Sequence, residues 1–355
     1  MNDRERALDH KCPGCGGKLV FSPEIGKWKC EYCKSEFDLE TLQKHKNASS
    51  EENNESNEKE VDTNYVEYHC KDCGAKIIAD DQTAATFCVY CGNTAILKSK
   101  LSGKFAPSKL IPFMKSKDDA INAFKGLSKG RPLMPKFFND VNNIEKVRGI
   151  YIPFWLFSYS SFGEVEATAQ RITTWAAGDY MYTKTDTYNV SRKATMKYDR
   201  IPVDGSTRFD DDIMNTIEPF DYSKLVDYNH AYLSGFLAEK YDVDDETAKK
   251  DALSRAEKTT KDTIMGSINY TTKIVKSENY VNKLKTTEYV LLPVWMVNVK
   301  YRDKMYTFAM NAQSGEFVGN IPVDVKKAII IGSILFVGIA ILVIVVSYLA
   351  YLGGA

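Results

Sequence analysis

The sequence lacks the motifs that mark an enzyme active site. No GxxxxGK[ST], GxSxG, HExxH or GxGxxG pattern occurs in its 355 residues. Histidine is scarce, and the four present are scattered: His10, His45, His69 and His230. The acidic runs at 80–81 and 210–212 are typical of turns and helix starts. We therefore expect no catalytic residues, no small-molecule substrate and a chain that is not an enzyme.

A net charge is also lacking. Lys+Arg and Asp+Glu both number 47, so no global field steers the chain toward nucleic acid or an acidic surface. Charge is local instead, because residues 98–150 carry 12 Lys or Arg against four Asp or Glu. This basic stretch is compatible with nucleic acid, with the anionic inner leaflet of a membrane, or with a solvated face near the acidic segment 199–251. The sequence leaves these three readings open.

A secretory signal is missing as well, since residues 1–10 are charged and no apolar run follows them. Near the C-terminus, by contrast, there is a long apolar run: the 25 residues from Ala328 to Leu352 carry no charge. A helix of that length crosses a hydrocarbon core of about 30 Å at about 1.5 Å per residue. We predict a transmembrane helix over residues 326–352.

The charges that flank the apolar run predict its orientation. Lys326 and Lys327 precede it, and no basic residue follows. Because cytoplasmic flanks are enriched in Lys and Arg, we expect residues 1–327 in the cytoplasm and the C-terminus outside. The expected location is the plasma membrane, crossed once by a tail anchor.

Unpaired cysteines are absent, which excludes a lone reactive thiol. All eight cysteines fall in four CxxC pairs: Cys12/Cys15, Cys30/Cys33, Cys70/Cys73 and Cys88/Cys91. The first four cysteines have the spacing C-x2-C-x14-C-x2-C, and the last four have the same spacing. Each cysteine of the second set follows its counterpart in the first by the same number of residues, as Cys70 follows Cys12. Such a repeat indicates an internal duplication of a metal-binding unit.

One CxxC pair alone is compatible with a redox couple, a disulfide or half of a metal site. A disulfide conflicts with a reducing cytoplasm, and a thioredoxin-like pair would open a helix in a βαβ unit. Two facing CxxC turns supply the four thiolates that tetrahedral Zn²⁺ prefers. We therefore predict two structural zinc ions, bound by Cys12, Cys15, Cys30 and Cys33 and by Cys70, Cys73, Cys88 and Cys91. Four cysteines close each site, so that the metal folds its unit and does not catalyse.

The predicted fold class is multidomain: two small β zinc ribbons, an α+β domain with one or more antiparallel sheets and a helical insertion, and one C-terminal transmembrane helix. Residues 47–64 carry six acidic groups against one Lys, so we expect a disordered linker there. The predicted units are zinc ribbon 1 at 10–45, the acidic linker at 46–65, zinc ribbon 2 at 66–98, a basic helical connector at 99–148, the α+β domain at 149–322 and the transmembrane helix at 326–352.

Helix and turn signals subdivide the region between the ribbons and the span. A helix is predicted from Ser116, where Ser-x-x-Asp119 resembles a capping box, and another from about Pro135 to Val147. Strands dominate from Gly149, with a hairpin turn predicted at 176–179. Helical patterns return at 208–268, and strands resume at 269–320.

A second, weaker repeat lies inside the α+β domain. Residues 151–155, YIPFW, match residues 291–295, LLPVW, with Pro153 in the place of Pro293 and Trp155 in the place of Trp295. The match indicates two related β units, or a chance similarity in β-rich text. Proline within each run predicts an edge strand or a bulge. Alternating Tyr and Trp residues predict sheet packing.

The tandem four-cysteine units, "YIPFW", the stretch beginning "IPVDGSTRFDDDIMNT" and "MNAQSGEFVGNIP" before a single span resemble the YdjG-like membrane proteins of Firmicutes. Members are often labelled as transcription factor IIB type zinc ribbon proteins or as primosomal-helicase-like. The helicase label finds no support here, since no phosphate-cradling loop exists. The resemblance implies a role beside a flotillin-like SPFH protein and phage-shock protein A in the membrane-stress response, with the SPFH protein recruited to the membrane.

Two functions from different classes follow as hypotheses. The first is a membrane-tethered zinc-ribbon adaptor that recruits a protein partner, by resemblance an SPFH-like protein together with a phage-shock-protein-A-like protein, with inner-leaflet lipid as a further contact. The alternative is a nucleic-acid-binding regulator tethered to the membrane, in which the ribbons and the basic stretch contact DNA or RNA. An enzyme with an unrecognised site in the α+β domain is a third reading.

Overall fold

The computed structural model describes most of the chain, and structural statements concern the described residues. These are residues 11–48, 65–69, 76–80, 83–87, 94–96, 106–127, 131–135, 147–301, 304–319 and 321–353. The helix predicted from Pro135 to Val147 and most of the predicted linker lie outside them.

The N-terminal unit is a three-stranded antiparallel sheet followed by one helix. Its elements are β1 (Leu19–Ser22), β2 (Lys27–Cys30), β3 (Glu36–Phe37) and α1 (Leu39–Ala48). Pairing of β1 with β2 places Phe21 opposite Trp28, so that both rings lie on one face. Asp38 begins α1 by accepting the backbone N–H of Thr41 at 2.8 Å. Helix α1 extends past the start of the predicted linker.

Four further strands precede the central domain. They are β4 (Tyr65–His69), β5 (Lys76–Asp80), β6 (Thr83–Phe87) and β7 (Thr94–Ile96). When β1, β2 and β3 are shifted along the chain by the offset that relates Cys12 to Cys70, they overlap β5, β6 and β7. The bridge between Lys11 and Lys18 likewise recurs as the pair His69 and Lys76. The repeat in the cysteine spacing therefore extends to strand positions and backbone pairing.

The central domain is one large sheet with helices packed against it. Its elements are β8 (Lys109–Leu110), α2 (Lys117–Gly126), β9 (Arg148–Ala177), β10 (Tyr180–Asp204), α3 (Asp211–Thr216), β11 (Val226–Asp227), β12 (Leu237–Glu239), α4 (Asp245–Gly266), β13 (Thr272–Tyr301), β14 (Lys304–Asn311) and β15 (Phe317–Gly319). The order is β11–β8–β13–β9–β12–β6–β7, with β10 also pairing β9 and with β14 pairing β13 and β15. Strands β6 and β7 join this sheet through β12.

The sheet is mixed, whereas the sequence predicts an antiparallel one. Strand β8 runs parallel to β13, and β12 runs parallel to β9. A tight hairpin forces antiparallel pairing, but β8 and β12 pair with strands that are distant along the chain. Short-range sequence patterns carry no signal for such a pairing.

Two of the sequence expectations about local structure are confirmed. Helix α2 begins with a capping box, because the Ser116 hydroxyl accepts the backbone N–H of Asp119 at 3.2 Å and the Asp119 carboxylate accepts that of Ser116 at 2.9 Å. Strand β9 ends at Ala177 and β10 begins at Tyr180, with Gly178 at φ +61° in the turn between them.

The two proline-containing segments, 151–155 and 291–295, pair with each other at the centre of the sheet, where Leu291 lies opposite Pro153. The expectation that proline marks an edge or a bulge is therefore wrong. Both faces of the sheet are covered at this point, since side chains of both segments are buried in two separate apolar clusters. Burial on both faces explains why these strands are continuously apolar.

Each proline lies at a position where its missing N–H leaves no gap in the hydrogen bonding. Beside Pro153 the neighbouring strand changes from β12 to β10, and beside Pro293 it changes from β8 to β14. The carbonyls remain paired: Pro153 accepts from Gly205 N at 2.9 Å, and Pro293 accepts from Ala312 N at 3.1 Å. Proline is tolerated because it occupies the junction between two partner strands.

The segments β8–α2–β9–β10 and β12–α4–β13–β14 are two halves that repeat each other in element order and pairing. The Trp155 indole N–H donates to Val243 O at 2.8 Å, just before α4, and the Trp295 indole N–H donates to Lys115 O at 2.9 Å, just before α2. Each tryptophan thus holds the helix start of the opposite half. The match of segment 151–155 with segment 291–295 is structural and not a chance similarity.

The hairpin β9–β10 extends into an arm, residues 158–199, which β13 flanks along part of its length. Helix α4 covers one face of the arm through side chains spaced four apart: Ala248, Ala252, Ala256, Thr260 and Ile264. A side chain at Gly163 would clash with Ile264, so glycine permits this close approach. Past the end of α4, the same face continues with the stacked pair Trp175 and Tyr182, which are exposed.

The last element is one long helix, α5 (Val325–Gly353). It is apolar enough to cross a membrane over Val325–Ser347, and none of that stretch is buried by the described residues. This is one candidate membrane-spanning helix near the C-terminus, in agreement with the position of the predicted span.

Candidate metal centre

Two knuckle-shaped turns of the N-terminal unit bring four cysteines together. Cys12 and Cys15 lie before β1, while Cys30 ends β2 and Cys33 follows it. In the first turn the Gly16 N–H donates to Cys12 O at 2.8 Å, and in the second the Lys34 N–H donates to Cys30 O at 3.0 Å. The two turns have the same shape, since the residue after each second cysteine, Gly16 or Lys34, has a positive φ, 71° and 64° respectively.

The spacing of the four sulfurs fits one metal ion. All four Sγ atoms lie within 4.8 Å of one another, and the Cys12–Cys33 and Cys15–Cys30 Sγ distances are both 3.5 Å. Four thiolates around tetrahedral Zn²⁺ at about 2.3 Å would lie about 3.8 Å apart. A disulfide requires about 2.05 Å, so these cysteines are free thiols. The cluster is consistent with zinc.

Glycine at position 17 suits the closeness of the sulfurs. A Cβ atom there would lie 3.1 Å from the Tyr32 Cβ atom and 3.3 Å from Cys15 Sγ, so these neighbours would have to shift by a few tenths of an ångström. It would also lie 3.4 Å from Cys30 Sγ. The residue therefore leaves the room that four converging ligands need.

Without a cation between them, two of the neighbouring thiols have pKa values shifted in opposite directions. The hydroxyl and the backbone N–H of Ser35 favour the thiolate and lower the pKa of Cys33 to about 6. At Cys15 the Gly17 N–H acts in the same direction, but contact with Cys33 and burial outweigh it and raise the pKa to about 12. A divalent cation removes this difference, because it stabilises all four thiolates together.

The metal centre is fixed to the central domain by an aromatic contact. The Trp28 indole N–H donates to Ala231 O at 2.8 Å, and the Phe21 N–H donates to Ser234 O at 3.1 Å. The Phe21 and Trp28 rings both pack on Tyr232, with centroids 5.3 and 5.0 Å apart. These partners lie in or beside a single 3₁₀ turn, His230–Leu233.

No motif in the sequence points to this contact. The only sequence feature that indicates the contact is a pair of large aromatic residues, Phe21 and Trp28, on one face of the β1–β2 hairpin. The cysteine turns of the hairpin are explained by metal binding, but these two aromatic residues are not. Trp28 is 1% exposed, which a free ribbon of this size would not achieve. A ribbon that hides its aromatic face needs a partner surface, and the 3₁₀ turn supplies it.

The structure brings together one of the two predicted ligand sets. Cys12, Cys15, Cys30 and Cys33 converge as predicted. The second set, Cys70, Cys73, Cys88 and Cys91, lies outside the described residues. The strands that flank the second set along the chain, β4 with β5 and β6 with β7, are paired.

A polar cluster without an assigned role surrounds Asp204 at the end of β10. Asp204 Oδ1 accepts the N–H of Ser206 at 3.0 Å, and Arg208 pairs with Glu239 at 3.2 Å. Burial raises the pKa of Asp204 to about 8, and nearby carboxylates, Asp242 and Glu239 among them, act in the same direction. The carboxyl is thus largely protonated at neutral pH, a property that sequence alone does not reveal.

Comparison with known proteins gives one relevant match. No family model matches the chain, and no solved structure matches it. Over 324 residues, 90% of this chain and 92% of the relative, the sequence is 36% identical to the uncharacterized protein YdjG of Bacillus subtilis (strain 168). The alignment spans nearly the full length of both proteins. The chain therefore belongs to the family of YdjG.

Proposed function

We propose that this protein is a membrane-tethered zinc-ribbon adaptor. The observation that carries the proposal is the exposure of α5, whose apolar side chains between Val325 and Ser347 are not covered by the part of the chain that the structure describes. Exposed apolar surface costs roughly 25 cal/mol per Å² in water, and a bilayer removes that cost. A core helix of a soluble domain would instead be buried on at least one face.

The proposed topology is single-pass in the plasma membrane, with the ribbons and the central domain in the cytoplasm. Lys326 and Lys327 at the start of α5 support this orientation, because basic residues are retained on the cytoplasmic side. Reducing conditions on that side would also keep the four cysteines as thiols available to a metal.

The proposed metal content is two structural zinc ions. Cys12, Cys15, Cys30 and Cys33 would hold the first, and Cys70, Cys73, Cys88 and Cys91 the second. The second ion is supported by the repeated cysteine spacing and by the matching backbone bridges that flank the first cysteine pair of each unit. Each ion would fold its ribbon and take no part in a reaction.

The arm is the proposed docking surface for a protein partner. Trp175, Tyr180 and Tyr182, which share one face near its end, are 47%, 72% and 46% exposed, and exposed apolar patches often mark interaction sites. Its outer strand β10 carries charged residues, among them Lys193 and Lys197, which disfavour addition of a further strand, so the partner would cover the aromatic face. The resemblance of the sequence indicates an SPFH-like partner, with phage-shock protein A, in the envelope-stress response.

Cell fractionation tests the proposal. We expect the full chain in the membrane fraction, resistant to carbonate, and an SPFH-like partner with it. Deleting residues 328–355 should release both to the cytosol, while fusing the shortened chain to an unrelated single transmembrane helix should restore both. A full chain that carbonate extracts would refute anchoring, and a partner that stays on the membrane without this protein would refute recruitment.

A further inference from the structure

Residues 131–135 are held against the start of α5, although they are far from it in the sequence. The Asp324 N–H donates to Leu133 O at 2.8 Å, and the Lys327 ammonium donates to Met134 O at 2.6 Å. Lys327 and Met134 are 193 residues apart in the sequence. Residues 131–135 therefore lie beside the start of α5 and take the same position relative to a membrane.

If α5 spans a bilayer, as the proposed function requires, its start lies among the lipid headgroups. The stretch Val325–Ser347 has 23 residues and is about 34 Å long at about 1.5 Å per residue, slightly more than the hydrocarbon core. The headgroup layer adds about 5–8 Å on each side. The short hydrogen bonds from Asp324 and Lys327 then place residues 131–135 in that layer.

The segment and the residues before α5 form an open cleft of about 440 Å³; its basic rim is Arg131, which lines it, and Lys326, which lies three residues past the lining residue Val323. Leu133, Ile321 and Val323 contribute apolar lining, and Arg131 lies at the cleft with an exposed side chain. Lys326 is also exposed, one residue past the start of α5. Cations next to apolar walls suit an amphiphilic anion.

The acidic group in this region does not cancel the basic rim. Asp324 Oδ1 accepts the backbone N–H of Lys326 at 3.1 Å, so its carboxylate is engaged with the start of α5. Against this one carboxylate stand Arg131, Lys326 and Lys327, a net charge of about +2 in residues 131–135 and 321–327. The described part of the basic stretch thus meets the span at this cleft.

We propose that the cleft between residues 131–135 and 321–327 binds an anionic phospholipid of the cytoplasmic leaflet. Arg131 and Lys326 contact the phosphate, and the first part of an acyl chain lies along Leu133, Ile321 and Val323. A nucleic acid would find the cations but would not use the apolar walls. The inference rests on the proposed membrane anchor and adds a lipid class to it.

Native mass spectrometry of the full chain in mixed micelles tests this site. The detergent-solubilised protein is exposed to equal amounts of phosphatidylglycerol and phosphatidylcholine, and the retained lipids are counted. The wild-type chain should retain mainly phosphatidylglycerol. The double variant Arg131→Gln/Lys326→Gln should lose that preference by about 30-fold, since two basic residues are removed from an anionic surface.

A matched double variant on β13, Lys283→Gln/Lys285→Gln, removes the same charge from exposed positions and should behave as wild type. Should the first variant fold poorly, Lys326→Gln alone and Arg131→Lys remain informative: the former should weaken retention, and the latter should preserve it. Unchanged phosphatidylglycerol retention in Arg131→Gln/Lys326→Gln overturns the proposal. The proposal is also overturned if the Arg131→Gln/Lys326→Gln variant retains lipid as the wild type does but no longer binds a DNA duplex.

Carbonate extraction of the cell membranes, carried out before detergent is added, separates this inference from the anchor on which it rests. A wild-type chain extracted by carbonate contradicts the anchor itself, and the lipid site with it. A chain that resists carbonate but retains the two lipids equally contradicts only the lipid site. A chain that resists carbonate and prefers phosphatidylglycerol through Arg131 and Lys326 supports both.

Discussion

Asp204 and Asn311 occupy nearly the same position in the two halves of the central sheet. Asp204 lies opposite Phe154 and Asn311 opposite Val294, and Phe154 and Val294 are themselves equivalent in the repeated segments 151–155 and 291–295. Asn311 donates its amide N–H groups to two backbone carbonyls, at 3.0 and 3.1 Å. Asp204 Oδ2 is buried and has no hydrogen-bond partner within the described part of the chain. One half thus uses a neutral amide where the other buries a carboxyl.

The substitution Asp204→Asn is expected to stabilise the protein, and increasingly so as the pH rises. The pKa of Asp204 is raised to about 8 by burial, while in the unfolded chain it is about 4. The wild-type chain therefore loses stability as the pH rises from about 4 to about 8, by at most about 1.4 kcal/mol per pH unit. Asparagine has no such dependence. Melting temperatures by circular dichroism at pH 5, 7 and 8.5 measure the difference.

The exposed carboxyl of Asp227 provides the control. Asp227→Asn should change stability little, because its side chain is exposed. An Asp204→Asn chain whose advantage over wild type is the same at pH 5 and pH 8.5 would contradict a raised pKa. No sequence pattern reveals this property, because it depends on the packing of β10 against residues that are distant along the chain.

Docking of the N-terminal four-cysteine unit is a property of whole elements. Strands β1 and β2 are held in place by the turns that carry the cysteines, and they present Phe21 and Trp28 to the 3₁₀ turn at 230–233. The metal centre is predictable from sequence because CxxC spacing encodes a local turn. The surface on which the ribbon docks is not, since it lies far along the chain and carries no motif.

Removal of the metal is expected to expose Trp28. Because thiolate-bound zinc contributes to folding of a small ribbon, a strong chelator should unfold it and break the bond from the Trp28 indole to Ala231. We expect a red shift of tryptophan fluorescence, with the main melting transition of the central domain retained. Re-addition of Zn²⁺ should reverse the shift.

The variant Trp28→Phe identifies the source of that signal. The chain has four tryptophans, and in this variant the three others remain, so a chelator should then produce little shift. A shift of undiminished size in Trp28→Phe would mean that the metal supports a different part of the chain. No shift in either protein would mean that the ribbon stays docked without metal.

At the scale of the whole molecule, the two halves are interwoven rather than side by side. Strand β8 of the first half pairs with β13 of the second, and β12 of the second pairs with β9 of the first. The sequence match of 151–155 with 291–295 predicts related units, but it does not predict that they exchange strands. That arrangement depends on pairings between distant segments, which local patterns do not encode. The apolar C-terminal helix is predictable because its signal is length and composition alone.

The halves differ most in their hairpins, and the extra length of β9–β10 forms the arm. Replacing residues 172–185 by an Asn-Gly turn between Arg171 and Asp186 should leave the melting temperature nearly unchanged, because most of the removed side chains are exposed. Hydrogen exchange in the wild-type chain should be faster in these residues than in the central part of β9.

If the arm is the docking surface, the shortened chain should remain in the membrane fraction but no longer recruit the SPFH-like partner. The triple variant Trp175→Ser/Tyr180→Ser/Tyr182→Ser keeps the length of the hairpin and should lose recruitment in the same way, whereas Thr174→Ser/Thr183→Ser, on the opposite face, should not. Fractionation with and without each variant measures this. A partner still recruited by the shortened chain would place the docking surface elsewhere, since the arm is then dispensable for both folding and recruitment.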